Sequence, residues 1–194
     1  MKNPRPLYTA AQAVERMLAL ARAKTGQYVL GTGDSTGYTT RDGLTGADCV
    51  IVAVYGYGIP RHRPGYNHGS WATIADDINC NSLIEDADHE GDLTERIYRP
   101  EVGCFLTYPS VYKDGHRISI GHIELVTGVS RCLEWDVTAP DYGLLDVVAC
   151  RGPNERKPAV ITGTGADGPG RGFNGHDKLW PKPAHRTSML RVKP

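Results

Sequence analysis

One cysteine and one histidine of this chain have sequence surroundings that suit a nucleophile and its general base. Cys49 opens an apolar run that continues to Tyr55, whereas His122 follows Gly121 and begins an apolar, β-branched stretch. A thiol that lies beside an imidazole becomes a nucleophile with its own general base, which is a machinery for acyl transfer. The two residues therefore predict cysteine-dependent chemistry, provided that the fold brings them together.

The residues around Cys49 predict a buried helix. Thr45 and Asp48 precede the apolar run with the spacing of a capping box, and Gly56 supplies a stop. The β-branched residues at 50–54 would also suit a buried strand, but the cap and the stop favour a helix that begins at Thr45. Cys49 would then lie near the first turn, where the helix dipole favours a thiolate.

Other helical signals lie in the first half of the chain. Thr9 and Gln12 form a second capping box, which predicts a helix that runs to about Lys24. A glycine- and threonine-rich segment, 31–46, shows no periodicity and is predicted as a loop. A third helix is predicted from Ser70 to about Cys80, followed by an acidic and exposed connection over 85–95.

The second half of the chain changes to short, apolar and β-branched segments separated by turn residues, which predict an antiparallel sheet. The predicted strands are Cys104–Tyr108, Ile118–Val129, Cys132–Trp135, Leu144–Cys150, Ala159–Thr162 and Ser188–Val192. Helices followed by strands predict an α+β fold, and the length suits one domain over residues 1–194.

The charge balance and the hydropathy exclude two classes of partner. Lys and Arg together number 22, as do Asp and Glu, so the chain lacks the basic footprint of a nucleic-acid binder. No run approaches the roughly 18 apolar residues of a membrane span. The first six residues lack the apolar core of a signal peptide, so we expect synthesis in the cytoplasm.

The five cysteines, at positions 49, 80, 104, 132 and 150, are widely and irregularly spaced. There is no CxxC pair and no HExxH spacing, so neither a metal nor a cofactor is predicted. The spacing suits a reduced protein with one reactive thiol and four buried ones. Two disulfides with a free nucleophile remain an alternative.

The order and spacing of these motifs resemble the NlpC-type, papain-like cysteine peptidases, which cut cell-wall peptides. The resemblance spans roughly residues 14–158 and rests on the following elements: Tyr28-Val29-Leu30-Gly31, Asp48-Cys49, Gly58-Ile59-Pro60-Arg61, Pro100-Glu101-Val102-Gly103 and Gly121-His122-Ile123. It implies a papain-like α+β domain in which Cys49 attacks a peptide carbonyl after His122 takes its proton. It also implies that Tyr28 and the Cys49 amide hold the oxyanion, and that Asp48 grips the free amine of a stem peptide.

The third catalytic position stays open. Glu124 lies two residues after His122 on the same strand face, where it could orient the imidazole or face solvent. The resemblance implies a polar residue near Ala149, but an alanine cannot orient a ring. Counting along a tight hairpin from His122 instead reaches Glu134, which we take as the predicted third residue. The remaining alternatives are Asp136, Asp146 and a Cys–His dyad without a third member.

The resemblance implies a peptidoglycan peptidase or amidase that acts as a monomer on a stem peptide. Without a signal peptide, the enzyme would reach the wall through lysis, a phage particle or a secretion machine. Two rivals remain: acyl transfer or deamidation on a substrate outside the wall, and a catalytically silent binding module. Three departures from the family pattern keep the silent module open, namely Val50, Cys104 and Ala149.

Overall fold

A computed structural model describes residues 5–23, 25–61, 78–89, 91–119, 121–129, 145–150, 160–164 and 188–194. Helix α1 covers Ala10–Ala23 and begins at the predicted capping box. The Thr9 amide donates to Gln12 Oε1 at 3.0 Å, and the Gln12 amide donates to Thr9 Oγ1 at 3.4 Å. The prediction of this helix is confirmed.

A small three-stranded sheet follows α1. Its strands are β1 (Gln27–Tyr28), β2 (Thr39–Arg41) and β3 (Leu44–Ala47), in the order β1-β3-β2. β1 runs parallel to β3, whereas β2 runs antiparallel to it. The prediction that 31–46 is a loop is therefore wrong. Asp42 and Gly43, both with positive φ, form the tight turn that joins β2 to β3, and this Asp-Gly pair was the overlooked hairpin signal.

Cys49 stands in the turn that leads into a short buried helix; we call the turn and the helix together, residues 48–56, the cysteine helix. Its last five residues, Val52–Gly56, have π-helical hydrogen bonding. The predicted helix is thus present, but its predicted cap is wrong. Thr45 lies in β3, where its Oγ1 hydrogen-bonds to Thr40 Oγ1 at 2.8 Å. Asp48 takes the capping role, since its Oδ1 accepts the Val50 amide at 3.1 Å.

Helix α2 covers Cys80–Asp88 and begins where the predicted third helix should end. Asn79 caps it, because its Oδ1 accepts the amides of Asn81 and Ser82 at 2.9 and 3.1 Å. Residues 70–77 of the predicted helix lie outside the described residues. A capping box at Asn79, with Ser82 at its third position, was the overlooked signal in the sequence.

The predicted exposed connection over 85–95 is also wrong in part. Helix α2 occupies it up to Asp88, and strand β4 begins at Thr94. Asp86 is only 1% exposed, since its Oδ2 accepts the amides of Leu93 and Thr94 at 3.1 and 2.6 Å. The acidic residue is therefore buried as an acceptor for the turn that leads into the main sheet.

The strands after β3 are β4 (Thr94–Arg96), β5 (Phe105–Tyr108), β6 (Val111–Lys113), β7 (His116–Ser119), β8 (His122–Val129), β9 (Leu145–Cys150), β10 (Val160–Thr164) and β11 (Ser188–Val192). Within the described residues, six of them form the main sheet, paired antiparallel throughout in the order β10-β9-β8-β5-β11-β4. A separate hairpin pairs β6 with β7.

Most predicted strands have a counterpart in this sheet. The exceptions are the segment Ile118–Val129, which divides into β7 and β8, and Cys132–Trp135, which lies outside the described residues. Neighbouring residues of a strand alternate between two apolar clusters, as Phe105 and Leu106 do. α1, the cysteine helix and α2 contribute to the larger cluster.

The architecture is therefore mixed α+β, with few helices and antiparallel sheets, as predicted. In the described part of the chain, no helix is both long and apolar enough to cross a membrane. The assignment of residues 1–194 to one domain stays a prediction.

Candidate active site

The fold brings Cys49 and His122 together, as the sequence requires for a nucleophile and its base. Cys49 is 5% exposed at the start of the cysteine helix, and its thiol lies close enough to the imidazole of His122 for each group to shift the pKa of the other. The cysteine helix packs against β8 and β9, two neighbouring inner strands of the main sheet. His122 is the first residue of β8, and its side chain is 14% exposed.

The backbone before His122 is held by close contacts. The Gly121 amide donates to Ser110 Oγ at 2.8 Å, and Thr107 Oγ1 donates to the His122 carbonyl at 2.9 Å. A Cβ atom at Gly121 would stand 2.6 Å from the Ser110 amide nitrogen and 2.7 Å from the Tyr108 carbonyl oxygen. Only glycine fits this approach, so Gly121 is part of what positions the imidazole.

Glu124 is the carboxylate that meets the imidazole. Its side chain is fully buried, and its Oε1 lies 3.4 Å from His122 Nε2. Residues two apart on a strand share a face, so the pair is built into β8 itself. Because Nε2 faces the carboxylate, the other ring nitrogen is left for the thiol. Glu124 stands opposite Ala149 on β9, the position where the family resemblance implied a polar group.

The structure does not place the other predicted candidates for orienting the imidazole beside His122. Glu134, the predicted third residue, and Asp136 both lie outside the described residues, so their assignment stays a prediction. Asp146 pairs with Gly128, six residues along β8 from His122. At about 3.3 Å per residue that is about 20 Å along the strand, so the structure does not bring Asp146 to the ring.

The environment shifts the pKa values of both members of the pair. Burial lowers the pKa of His122, but its hydrogen bonds to Cys49 and Glu124 outweigh burial and raise it from 6.5 to about 9. The hydrogen bond from Cys80 and burial raise the pKa of Cys49 well above its ordinary value, against the opposing effect of His122. Because both pKa values are raised, the thiol and the imidazole each carry a proton at neutral pH. The pair becomes reactive when it loses the first of these two protons, which happens above neutral pH.

Asp48 anchors the entrance to the cysteine helix. Its two oxygens accept the Gly31 amide at 2.8 Å, the Val50 amide at 3.1 Å, and Arg61 Nη1 and Nη2 at 3.1 and 2.5 Å. Burial raises the pKa of Asp48, and Arg61 and the two amides oppose that rise. These four donors match the roughly four lone-pair sites of a carboxylate. Asp48 therefore has a positioning role here, and its predicted grip on a substrate amine stays a prediction.

Arg61 is a site residue whose role the sequence did not reveal. Its Nε donates to the Gly33 carbonyl at 2.9 Å and its Nη2 to the Thr32 carbonyl at 2.8 Å, in addition to the pair with Asp48. The guanidinium thereby ties the loop after β1 to the cysteine helix. No local sequence signal announces this pairing, since thirteen residues separate the two partners.

Tyr28, the predicted oxyanion donor, lies near the nucleophile. Its strand β1 pairs with β3 in a register that sets Tyr28 beside Ala47, two residues before Cys49. Burial, followed by the charges of Cys49 and Asp48, raises the pKa of the Tyr28 phenol. The hydroxyl therefore keeps its proton at neutral pH and remains able to donate a hydrogen bond.

The described residues contain no group of three His, Cys, Asp or Glu side chains that could hold a metal ion. Around Cys49 the fold assembles a buried thiol, an imidazole, a carboxylate 3.4 Å from that imidazole and a protonated phenol nearby. Such an arrangement can carry out nucleophilic acyl transfer. No family model matches the chain, and neither a curated protein nor a solved structure matches it.

Proposed function

We propose that this protein is a cysteine hydrolase of the NlpC-type, papain-like class, which cleaves peptide or amide bonds in peptidoglycan. The observation that carries the proposal is the chain of contacts from Cys49 through His122 to the buried Glu124. A structural cysteine needs only apolar neighbours, whereas this one meets an imidazole whose far side is paired with a carboxylate. The order thiol, imidazole, carboxylate is that of a catalytic triad.

The proposed reaction has two halves. His122 takes the Cys49 proton, the sulfur forms a bond to the carbonyl carbon, and the carbonyl oxygen becomes an oxyanion that Tyr28 and the Cys49 amide stabilise. His122 then gives the proton to the leaving amine as the carbon–nitrogen bond breaks. Water, deprotonated by His122, attacks the thioester, and the carbon–sulfur bond breaks to release the acid and the thiol.

The site geometry does not specify a substrate, so the choice of peptidoglycan rests on the sequence resemblance. The sequence elements around Tyr28, Cys49 and His122 resemble those of the cell-wall peptidases, and the proposal takes the substrate class from that resemblance. Delivery by lysis, by a phage particle or by a secretion machine belongs to the same proposal.

The test is digestion of purified peptidoglycan by the wild type and by Cys49→Ala and His122→Ala, with the released fragments identified by mass spectrometry. We expect fragments with a new amine terminus from the wild type alone, and folded variants by circular dichroism. Cys104→Ala is a matched control, because Cys104 is a buried cysteine of the other apolar cluster. Retained hydrolysis in either site variant would overturn the assigned pair. Absence of fragments with several wall types would overturn the substrate class and favour acyl transfer, deamidation or a silent module.

A further inference from the structure

The backbone that carries the His122 imidazole is tied to helix α2, which lies far from it in sequence. The Gly121 amide, directly before His122, donates to Ser110 Oγ at 2.8 Å. Ser110 is in turn hydrogen-bonded to the side chain of Asn81, the second residue of α2, across a separation of twenty-nine residues. The proposed reaction assigns no step to Asn81, so its role lies outside the reacting atoms.

The side chain of Asn81 pairs with Ser110 as one peptide group pairs with another. Its Oδ1 accepts the Ser110 amide at 2.9 Å, and its Nδ2 donates to the Ser110 carbonyl at 3.4 Å. A side-chain amide carries a donor and an acceptor side by side, whereas an alanine side chain carries neither. A single side chain therefore satisfies both backbone groups of Ser110 and fixes its position.

Asn81 is itself held by the start of α2. The Asn79 side chain accepts the Asn81 amide at 2.9 Å as part of the capping box, which orders the first turn of the helix. The neighbouring Cys80 and Leu83 are buried in the larger apolar cluster. The side chain that holds Ser110 is thus attached to a capped and packed helix.

The contacts between Ser110 and the imidazole leave little room for adjustment. Ser110 approaches Gly121 so closely that a Cβ at Gly121 would stand 2.6 Å from its amide nitrogen. On the other side, His122 lies opposite Tyr108 of β5, and the centroids of their rings are 6.0 Å apart. A displacement of Ser110 would therefore change the path of the chain into β8, and with it the 3.4 Å separation of the imidazole from Glu124.

We propose that Asn81 is a positioning residue for His122 and that it acts through Ser110. Asn81 holds the backbone of Ser110 where the Ser110 hydroxyl fixes Gly121, and this sets the imidazole at its distance from Glu124. The effect on catalysis rests on the function proposed above, whereas the effect on the imidazole does not.

A purely structural role for Asn81 makes a different prediction. If its hydrogen bonds only attach α2 to the segment before β8, their loss lowers the stability of the protein but leaves the imidazole unchanged in molecules that remain folded. If Asn81 acts through Ser110, its loss changes the imidazole, and the effects of the two residues are not additive, because members of one hydrogen-bond network are coupled.

The test is a double-mutant cycle of Asn81→Ala and Ser110→Ala, measured by NMR titration of the His122 ring and by the kinetics of peptidoglycan hydrolysis. Each single variant should lower the pKa of His122 from about 9 towards 6.5, because the imidazole loses part of its contact with Glu124. The kcat should fall by about ten- to hundredfold with KM unchanged. In the Ser110→Ala background, Asn81→Ala should change kcat by less than about twofold further. Asn81→Ser supplies the same measurement where Asn81→Ala does not fold.

Thr94→Val is the matched control, because it also removes a hydrogen bond between a side chain and the backbone at α2. Thr94 Oγ1 donates to the Leu83 carbonyl at 2.8 Å, and its loss should leave the titration of His122 unchanged. Three results would overturn the proposal: an unchanged His122 pKa in folded Asn81 variants, additive effects of Asn81→Ala and Ser110→Ala, or the same pKa change in Thr94→Val. The titration needs no substrate, so a protein with the expected titrations that releases no wall fragments contradicts the proposed function alone. An active protein whose titration is unchanged in the Asn81 variants contradicts the positioning role alone.

Discussion

The replacement of Glu124 by glutamine removes one negative charge from the candidate site and keeps the shape of the side chain. Glu124 is fully buried, and its Oε1 lies 3.4 Å from His122 Nε2. A buried carboxylate in this position stabilises the imidazolium that forms each time the base takes a proton. We therefore expect Glu124→Gln to lower both the pKa of His122 and the rate of hydrolysis.

The structure sets the size of the effect. The rise of the His122 pKa from 6.5 to about 9 corresponds to about 3 kcal/mol of preferential stabilisation of the imidazolium. Burial lowers the pKa of His122, and the interactions with Cys49 and Glu124 together produce the net rise. If Glu124 supplies about half of it, its loss raises the barrier by about 1–2 kcal/mol, which is a fall of about five- to thirtyfold in kcat/KM.

The assay is the pH profile of peptidoglycan hydrolysis, together with an NMR titration of the His122 ring. In the wild type we expect kcat/KM to rise with an apparent pKa near 9, since the pair must lose its first proton. In Glu124→Gln that rise should move to lower pH and reach a lower plateau. Glu95→Gln, at a partly exposed glutamate that pairs with Arg191, is the matched control and should leave both unchanged. The reasoning is refuted if Glu124→Gln leaves both unchanged, or if Glu95→Gln produces the same changes.

Three further predictions concern stability. Asp48→Ala should lower the free energy of unfolding by about 3–5 kcal/mol, because it leaves the buried Arg61 without its carboxylate partner. Denaturant unfolding measures this loss, and the exposed control Asp42→Asn should lose less than about 1 kcal/mol. Since the pKa of His122 is raised in the folded state, its contribution to stability should be complete below pH 6.5 and lost as pH rises through about 9. The measurement is the difference in urea midpoint between the wild type and His122→Gln. A difference that stays constant across that pH window would contradict this prediction. Gly121→Ala should cost about 1–3 kcal/mol through the clash with the Ser110 amide, with a loss of hydrolysis in molecules that remain folded.

Features that depend on neighbours in sequence could be predicted. The capping box of Thr9 and Gln12 is local, so α1 was predicted with its start correct. Short, apolar and β-branched segments between turn residues predicted most strands of the main sheet, including β9 and β11. The meeting of Cys49 with His122 was also predicted, although from the order of motifs rather than from propensity.

Features that depend on distant partners could not be predicted. Thr45 has the spacing of a cap, but it lies in β3, which pairs with β1 nineteen residues earlier (Gln27 opposite Gly46) as well as with its hairpin partner β2. Those hydrogen bonds outweigh the capping signal. Asp86 was predicted to be solvent-exposed, but its carboxylate is buried and accepts a hydrogen bond from the Thr94 amide at the start of β4. Glu124 was open to either interpretation, since the sequence shows its strand face but not what lies on that face.

The central claim is that His122 activates the Cys49 thiol, and alkylation with iodoacetamide followed by peptide mapping tests it without any assumed substrate. In the wild type, Cys49 should react before Cys104 and Cys150, at a rate that increases towards pH 9. In a folded His122→Ala variant, the reaction of Cys49 should become markedly slower while that of the other two stays the same. Labelling of Cys49 that is no faster than that of Cys104, or that is unchanged in His122→Ala, would contradict the account.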